Sequence, residues 1–409
     1  MFSETFRERS SFFYGGKNVC GHNAYGSYTA RGLRYIRRAK ERNIMKKYRA
    51  GVIGATGMVG RTLVSLLQKH PYFQPTVLAA SSASEGKTYR EALLAKNGVS
   101  FSETGFSVFS ESTLNMPLFN AEADFDKIAQ NADFVFCAIH ADPSIVRQTE
   151  ERFAKAELPV ISVNSANRRL PDVPVIIPEI NPEHLGVLPF QKRRLGTKRG
   201  FIVAKSNCSL QSYVPLLHPL RPFGIQKATI CTCQAISGAG KTFHSMPEIS
   251  DNMIPYIAGE EEKSETEPLK IWGNIEDGKI VPAAAPIISA RCFRVPVSHG
   301  HTAAIFVSFD HPPEKDEIIR RWNSYEGLPQ RLRLPSAPQR FIRYFPQNDR
   351  PQPGLDRDEG NGMTICAGGL CRDNVSDYKF TGLSHNLLRG AAGGAILLAE
   401  LLAAEGFLD

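Results

Sequence analysis

Residues 48–70 read YRAGVIGATGMVGRTLVSLLQKH, and the fold turns on what the glycines in this stretch are for. A short apolar run ends at Ile53, and Gly54-x-x-Gly57-x-x-Gly60 follows. Apolar residues then recur at Val59, Leu63, Leu66 and Leu67, the spacing of one helix face. Strand, glycine turn and amphipathic helix in this order make a pyrophosphate cradle. Glycine lets the backbone approach the anion, and the helix start offers unpaired N–H groups and positive potential. The spacing departs from G-x-G-x-x-G, and a plain tight turn also uses glycine, so the flanking strand and helix carry this reading.

Downstream, a second strand is expected over Thr76–Ala80, where a dinucleotide site without a 2′-phosphate usually ends in an acid that binds the ribose hydroxyl. Here the chain runs into Ser81, Ser82, Ala83, Ser84, Glu85, Gly86 and Lys87. Small hydroxyls and a lysine suit a 2′-phosphate, so NADP is expected over NAD, with Ser81, Ser82, Ser84 and Lys87 as its contacts. Further strands at Asp133–Ile139 and Pro159–Val163 alternate with helical patterns, which predicts a doubly wound parallel sheet. His140 falls at a strand end, where such sheets bind ligands, although a single loop histidine is more often structural.

A strand at Gly200–Lys205 leads into SNCS and Cys208, then Leu210, Val214 and Leu217 at helical spacing, with Pro215 and Pro219 bending or ending that helix. A cysteine there can be inert packing, half of a disulfide, a metal ligand or a nucleophile. The start of a helix favours the last, because it stabilises a thiolate and offers N–H groups to an oxyanion. Beyond it, CTCQAISGAGKTFHS enters a glycine turn with Gln234 at the strand's end. RCFRVPVSHGHTAAIFVSF sets Arg294 and His301 on either side of Ser-His-Gly. The tail from Arg389 is an apolar helix rich in Ala and Gly, and Pro346–Gly362 reads as a long surface loop.

Composition bounds the rest. At 409 residues the chain can form two or three domains, and 42% apolar with 22% charged residues is ordinary for a globular protein. No run reaches the ~20 apolar residues of a membrane span. The net charge is +8, but residues 1–44 alone carry nine Lys/Arg and three Glu, so no basic footprint for nucleic acid covers the remainder. That segment lacks periodicity and reads as a disordered extension, a transit peptide or an over-extended start, with Met45 a natural second start. Eight cysteines without paired spacing point to a reducing, cytoplasmic setting; Cys231 and Cys233 read as a buried pair on one strand face, and no metal is expected.

Six stretches now stand in one order across residues 46–409: VIGATGMVG, SNCS, QAISGAGK, NMIPYIAGEEEKSETEPLK, RVPVSHGHTAAI and SHNLLRGAAGG. Together they resemble the aspartate-semialdehyde dehydrogenase family, in its archaeal and fungal branch. The resemblance implies an α/β fold: a Rossmann-type doubly wound NADP-binding domain (46–207 and 385–409, after an extension over 1–45) and an α/β catalytic and dimerisation domain (208–384). It implies that Cys208 is the nucleophile, that Gln234 orients the acyl group, that Arg294 grips the substrate carboxylate, and that His301, rather than His299, is the acid/base. Glu267 and Lys270 match the acid and lysine near the substrate amine and phosphate, and Arg168, with Arg169 as alternative, matches the phosphate arginine. Gly54, Thr56, Gly57, Met58, Val59, Gly60, Ser237, Gly238 and Asn386 match cofactor contacts.

The implied reaction is NADPH-dependent reductive dephosphorylation of aspartyl phosphate to aspartate semialdehyde through a Cys208 thioester. It lies on the route from aspartate to lysine, threonine, methionine and isoleucine. A homodimer or homotetramer is implied, with no nucleic-acid or membrane partner. A malonyl-CoA reductase on the same scaffold and a non-catalytic NADP sensor are the rivals. N-acetylglutamyl-phosphate reductase fits less well, since Ser206-Asn207 rather than Pro-Gly precede the cysteine. One departure is Gly368-Gly369-Leu370-Cys371-Arg372, where relatives carry more arginine.

Overall fold

The computed structural model describes residues 47–97 and 107–409; the extension expected over 1–45 lies outside them. The run ending at Ile53 is β1 (Tyr48–Ile53). It joins β2 (Phe73–Ala80), β3 (Leu118–Asn120), β4 (Phe134–Cys137), β5 (Val160–Ser162), β6 (Val175–Ile176) and β7 (Ile202–Lys205). The sheet order is β3-β2-β1-β4-β5-β7-β6, and every ladder is parallel. The chain winds outward from β1 to β3, then returns to place β4 on the other side of β1, so a crevice opens beyond the ends of β1 and β4. The second strand begins three residues before the expected Thr76, at Phe73. The ladder admits Pro75 by slipping register between Ala50 and Gly51, leaving Thr76 unpaired with its hydroxyl on the Asn131 carbonyl.

The glycine turn opens α1 (Met58–Leu67), which buries Gly60, Leu63, Val64 and Leu67. Leu66 falls outside that stripe and is 39% exposed, contrary to the periodicity reading. The sheet is flanked by α2 (Pro143–Lys155), which starts on an Asp142 cap. Outside this layer, α3 (Glu260–Ile271) lies against the second sheet. The tail forms α4 (Gly393–Ala404), all twelve residues buried, as a helix apolar on nearly every side must be; its one carboxylate, Glu400, meets His70 Nε2 at 2.7 Å and the Ser336 amide at 3.0 Å. It returns to pack on α1, β5 and β7.

The second sheet is mixed: β8 (Ile225–Ala235), then, past a hairpin of β9 (Asn274–Glu276) and β10 (Lys279–Val281), β11 (Ile287–Val295), β12 (His301–Phe309), β13 (Ile342–Phe345), β14 (Ile365–Arg372) and β15 (Tyr378–Ser384). Its order is β11-β8-β12-β15-β14-β13. β11 and β12, consecutive in sequence, do not pair; they straddle β8, one parallel and one antiparallel to it. Alternation is strict in β12, where His301, Ala303, Ile305, Val307 and Phe309 are buried and the residues between are half-buried. Cys231 and Cys233, opposite Ala304 and Thr302, share that half-buried face, so the pair is less covered than expected.

Two expectations for the connections change. No continuous helix follows Cys208. A 3₁₀ turn (Ser209–Ser212), a single α turn (Val214–Leu217) and a second 3₁₀ stretch (His218–Phe223) replace it, broken at Tyr213 (φ −140°) and interrupted by Pro215, Pro219 and Pro222. The segment Pro346–Gly362 is not a free surface loop. It holds a one-turn helix, Pro353–Asp356, closed by an Arg350–Asp356 ion pair, and then a left-handed turn at Gly360 (φ 58°) and Asn361 (φ 57°). Arg357 reaches from it to the Ser298 hydroxyl at 3.2 Å and the His299 carbonyl at 3.3 Å, bracing the turn before β12.

Candidate functional site

The crevice is built from backbone. Gly54 has φ +90°, and a Cβ there would come within 2.5 Å of the Ala138 carbonyl oxygen. A Cβ on Gly60 would meet the Gly54 carbonyl at 2.1 Å, so this glycine seats α1 on the turn. A cavity of about 580 Å³ opens here, bounded by Gly54, Thr56, Gly57, Ser81, Ser82 and His140. Asn120, Gln148 and Arg152 also line it, none of them signalled by the glycine motif. Ser84 and Lys87 do not: Ser84 closes a turn onto Ser81, and the Lys87 ammonium donates to the Ala83 carbonyl at 2.9 Å. Val59 packs on the core, while Met58 faces a neighbouring cavity of about 420 Å³ with Ile236, Lys241, His299 and Leu387. The glycine cradle, the serines and the arginine fit a phosphorylated dinucleotide.

The second cluster is built from side chains. β7 delivers Cys208 to a turn pinned by Asn207: its Oδ1 accepts from the Ser209 amide at 2.8 Å and the Ser209 hydroxyl at 2.7 Å. Cys208 is half-buried, and its Sγ lies 3.4 Å from Nε2 of His301, the first residue of β12. His301 Nδ1 accepts the Ala235 amide at 3.0 Å, so neutral imidazole carries its proton on Nε2, facing the sulfur. Register places Arg294 of β11 opposite Gln234 of β8, and Arg294 Nη1 donates to the Ala235 carbonyl at 2.6 Å. Between Arg294 and His301 sits Gly238, where a Cβ would lie 2.8 Å from Nη1 and 3.0 Å from the imidazole. The glycine keeps that space open.

The turn before His301 is locked from two sides. Asn386 Oδ1 accepts the Gly300 amide at 2.8 Å, and Asn386 Nδ2 donates to the Ser237 hydroxyl at 2.9 Å. The Ser237 hydroxyl also meets His299 Nδ1 at 2.9 Å. His299 thus belongs to the turn, and His301 is the histidine that reaches the sulfur.

α3 separates the two carboxylates that its spacing offers. Glu260 accepts from Gln234 Nε2 at 3.2 Å, from Asn207 Nδ2 at 3.1 Å and from Lys263 at 2.6 Å. Glu267, one layer back, accepts from Arg168 Nη1 at 3.0 Å and the Asn207 amide at 2.9 Å. Lys270 donates to the carbonyls of Arg168 and Leu170, both at 2.6 Å. The residues named from the sequence, Glu267 and Lys270, therefore hold the Arg168 loop, while Glu260 and Lys263 stand beside Gln234. The signal for them was present: Glu260-x-x-Lys263 repeats the spacing of Glu267-x-x-Lys270 one pair of turns earlier. Arg168 is buried with its Nε unpartnered, whereas Arg169 is exposed and pairs with Glu262.

Electrostatics correct one expectation. Burial, with Glu260 nearby, pushes the Cys208 thiol up rather than down; Lys205, Arg168 and Arg294 pull it back. Burial, then Arg294, lowers His301 to about 3, so it is neutral near pH 7. Burial alone would raise Glu260, but Lys263, Asn207 and Gln234 outweigh it and hold the carboxyl below its ordinary value. Among the described residues no cluster of His, Cys, Asp or Glu forms a metal site, and no helix is long and apolar enough to cross a membrane.

Comparison with known proteins bears on both clusters. The family model described as "Semialdehyde dehydrogenase, NAD binding domain" matches residues 49–187, and "Semialdehyde dehydrogenase, dimerisation domain" matches 217–389. Aspartate-semialdehyde dehydrogenase of Archaeoglobus fulgidus is 41% identical over 359 residues, covering 88% of this chain and 99% of the relative. The Candida albicans enzyme is 39% identical over 377 residues, covering 89% and 100%. A crystal structure of the Candida albicans aspartate-semialdehyde dehydrogenase with NADP superimposes with a TM-score of 0.76 at 37% identity, covering 88% of this chain and all of that one.

Proposed function

The chain belongs to the aspartate-semialdehyde dehydrogenase family, and on that premise we propose that it reduces aspartyl phosphate to aspartate semialdehyde through a thioester on Cys208. It is an oxidoreductase that uses NADP. The observation that carries the chemistry is the 3.4 Å approach of Cys208 Sγ to His301 Nε2, beside the opening that Gly238 keeps between Arg294 and His301. Sulfur attacks the acyl carbon, an S–C bond forms, and the C–O bond to phosphate breaks. Arg168, buried behind the cysteine turn, offers its unpartnered Nε and planar charge to the departing phosphate. The Gly54–Gly60 cradle, with Ser81 and Ser82 lining the same cavity, would hold NADPH, which would supply the hydride for the thioester. His301 hydrogen-bonds its Nε2 proton to the thiohemiacetal oxygen as charge develops there, and keeps the proton as the carbon–sulfur bond breaks.

Recognition follows from charge. Arg294 suits the α-carboxylate, and Glu260, across Gln234 and held ionised, suits the α-ammonium. Gln234, fixed by Thr232 and Glu260, orients the acyl group between them. The half-buried face of the second sheet, with Phe293, Thr302 and Phe306 beside Cys231 and Cys233, supports assembly as a homodimer through that face. Seven unpaired cysteines among the described residues fit a reducing, cytoplasmic setting.

The test is the reverse reaction: NADP reduction by aspartate semialdehyde that requires phosphate. Aspartate semialdehyde is expected to be oxidised efficiently, succinate semialdehyde poorly because it brings no ammonium to Glu260, and malonyl-CoA reduction is expected to be absent. Preference for malonyl-CoA, or equal use of both aldehydes, would overturn the assignment.

A further inference from the structure

The chemistry above leaves one buried charge at the site without work. Lys205, the last residue of β7, is 2% exposed. Among the described residues it makes no ion pair, and the Ser206 carbonyl, at 2.8 Å, is the only acceptor its three N–H bonds meet. The neighbouring cations are each neutralised: Arg168 by Glu267 at 3.0 Å, and Arg389 by the two oxygens of Glu179 at 2.7 and 2.5 Å. Lys205 is thus a buried ammonium without a carboxylate, an arrangement that costs free energy unless an anion forms beside it.

The anion it can serve is close in the fold. Lys205 and Cys208 seat themselves on the same short segment leading into α4. A Cβ on Gly394 would lie 2.9 Å from Lys205 Cε, and a Cβ on Gly390, one helical turn earlier, would lie 2.8 Å from Cys208 Cβ. The two glycines hold open adjacent places for the two side chains. His301 cannot serve as base toward the thiol in this arrangement, because its Nδ1 is occupied by the Ala235 amide and its Nε2 already bears the proton.

We propose that Lys205 is the positioning charge of the nucleophile: its ammonium, buried without a carboxylate, favours the thiolate of Cys208 over the thiol through space, the thiol proton leaving to solvent. When sulfur then attacks, the electron pair that forms the S–C bond comes from that thiolate. When the aldehyde leaves, the thiolate forms again in the field of the same ammonium. Burial lowers Lys205 to about 7, with Arg168 adding to that and Cys208 opposing it, while burial raises the thiol. Each charge is penalised alone and relieved by the other, the behaviour of a coupled pair. Arg389 and Glu267 also face the lysine, and Glu260, Arg168 and Arg294 face the sulfur.

The proposal rests on Cys208 being the reacting sulfur, so its test reads alkylation rather than turnover and does not depend on which aldehyde is the substrate. The rate of Cys208 modification by iodoacetamide, followed by mass spectrometry across about pH 6 to 10, is compared in the wild type, Lys205→Met and Lys205→Arg, with NADP binding as the check on folding. Lys205→Met should slow alkylation at pH 7 by ~10-fold or more and move the midpoint to higher pH, as loss of one unit of thiolate stabilisation requires; Lys205→Arg should restore a lower midpoint. An unchanged profile in a Lys205→Met protein that still binds NADP overturns the proposal. If Lys205→Met fails to fold, Cys208→Ala carrying ¹³C-labelled lysine supplies the second measurement. Loss of the sulfur should lower the titration midpoint of Lys205, and an identical midpoint with and without the sulfur overturns it.

Discussion

The dinucleotide crevice and the cysteine cluster solve recognition by opposite means. The crevice is centred on backbone and small side chains at strand ends, and its glycine turn is contiguous in sequence: Gly54, Thr56 and Gly57 lie within four positions. The cluster is made of side chains on β8, α3, β11 and β12 and on the separate turns that carry Arg168, Cys208 and Asn386, with Gln234, Arg294 and His301 buried. A phosphate needs N–H groups and room, which a short local motif supplies. Acyl transfer needs a nucleophile, an acid and a fixed substrate within hydrogen-bond reach of one another, and only tertiary folding brings such groups together. The two regions should therefore fail independently.

The sharpest break between them is Cys208→Ala. Turnover should be lost while NADP binding, read by fluorescence or calorimetry, stays within about twofold of wild type, since no crevice residue touches the sulfur. Retained turnover would remove Cys208 as the nucleophile; lost cofactor binding would mean the two regions are one cooperative unit.

The same contrast explains how much was legible. Strand, glycine turn and helix at 48–67 could be read because the physics is local: Gly54 must adopt φ +90°, and Gly60 must lie against Gly54. The exact face of α1 was less so, because Leu66 is apolar yet falls off the buried stripe. Cys208, Gln234, Arg294 and His301 were recoverable only as a set in family order, and the structure does bring them together. The α3 residues show where spacing stops deciding. Glu260-x-x-Lys263 and Glu267-x-x-Lys270 share one pattern, and only packing puts the first pair beside Gln234 and the second behind Arg168. The thiol expectation erred for a similar reason: a helix start favours thiolate locally, but burial of the folded site acts in the other direction. Lys87 looked like a phosphate ligand until its ammonium turned onto its own loop.

Within the cluster, His301→Asn should lower kcat by ~10²–10⁴, the usual worth of positioned acid–base help. His299→Asn should cost far less, because His299 reaches the Ser237 hydroxyl and not the sulfur. The reverse ranking in steady-state kinetics would transfer the proton role to His299 and break the link between sulfur distance and function. Cofactor affinity should be little changed in His301→Asn, again separating the two regions.

Acid offers the gentlest separation. Burial lowers His218 and His385 to about 4 and His301 to about 3, in the last with Arg294 adding to it, and all three lie in the second half of the chain. In the folded state they are neutral down to those values, whereas the unfolded chain binds protons below about 6.5. Unfolding therefore takes up protons, and stability must fall as pH drops from about 6.5 toward 4, by up to ~1.4 kcal/mol per pH unit for each histidine. Because β12 begins at His301 and β15 ends one residue before His385, hydrogen exchange should accelerate first at Ala303–Val307 and Phe380–Leu383. The β1 amides, Ala50–Ile53, should hold protection to lower pH, since none of these histidines packs against that strand. Exchange that loosens β1 first, or a stability flat from pH 6.5 to 4, would show that the buried imidazoles do not set the acid limit of the fold.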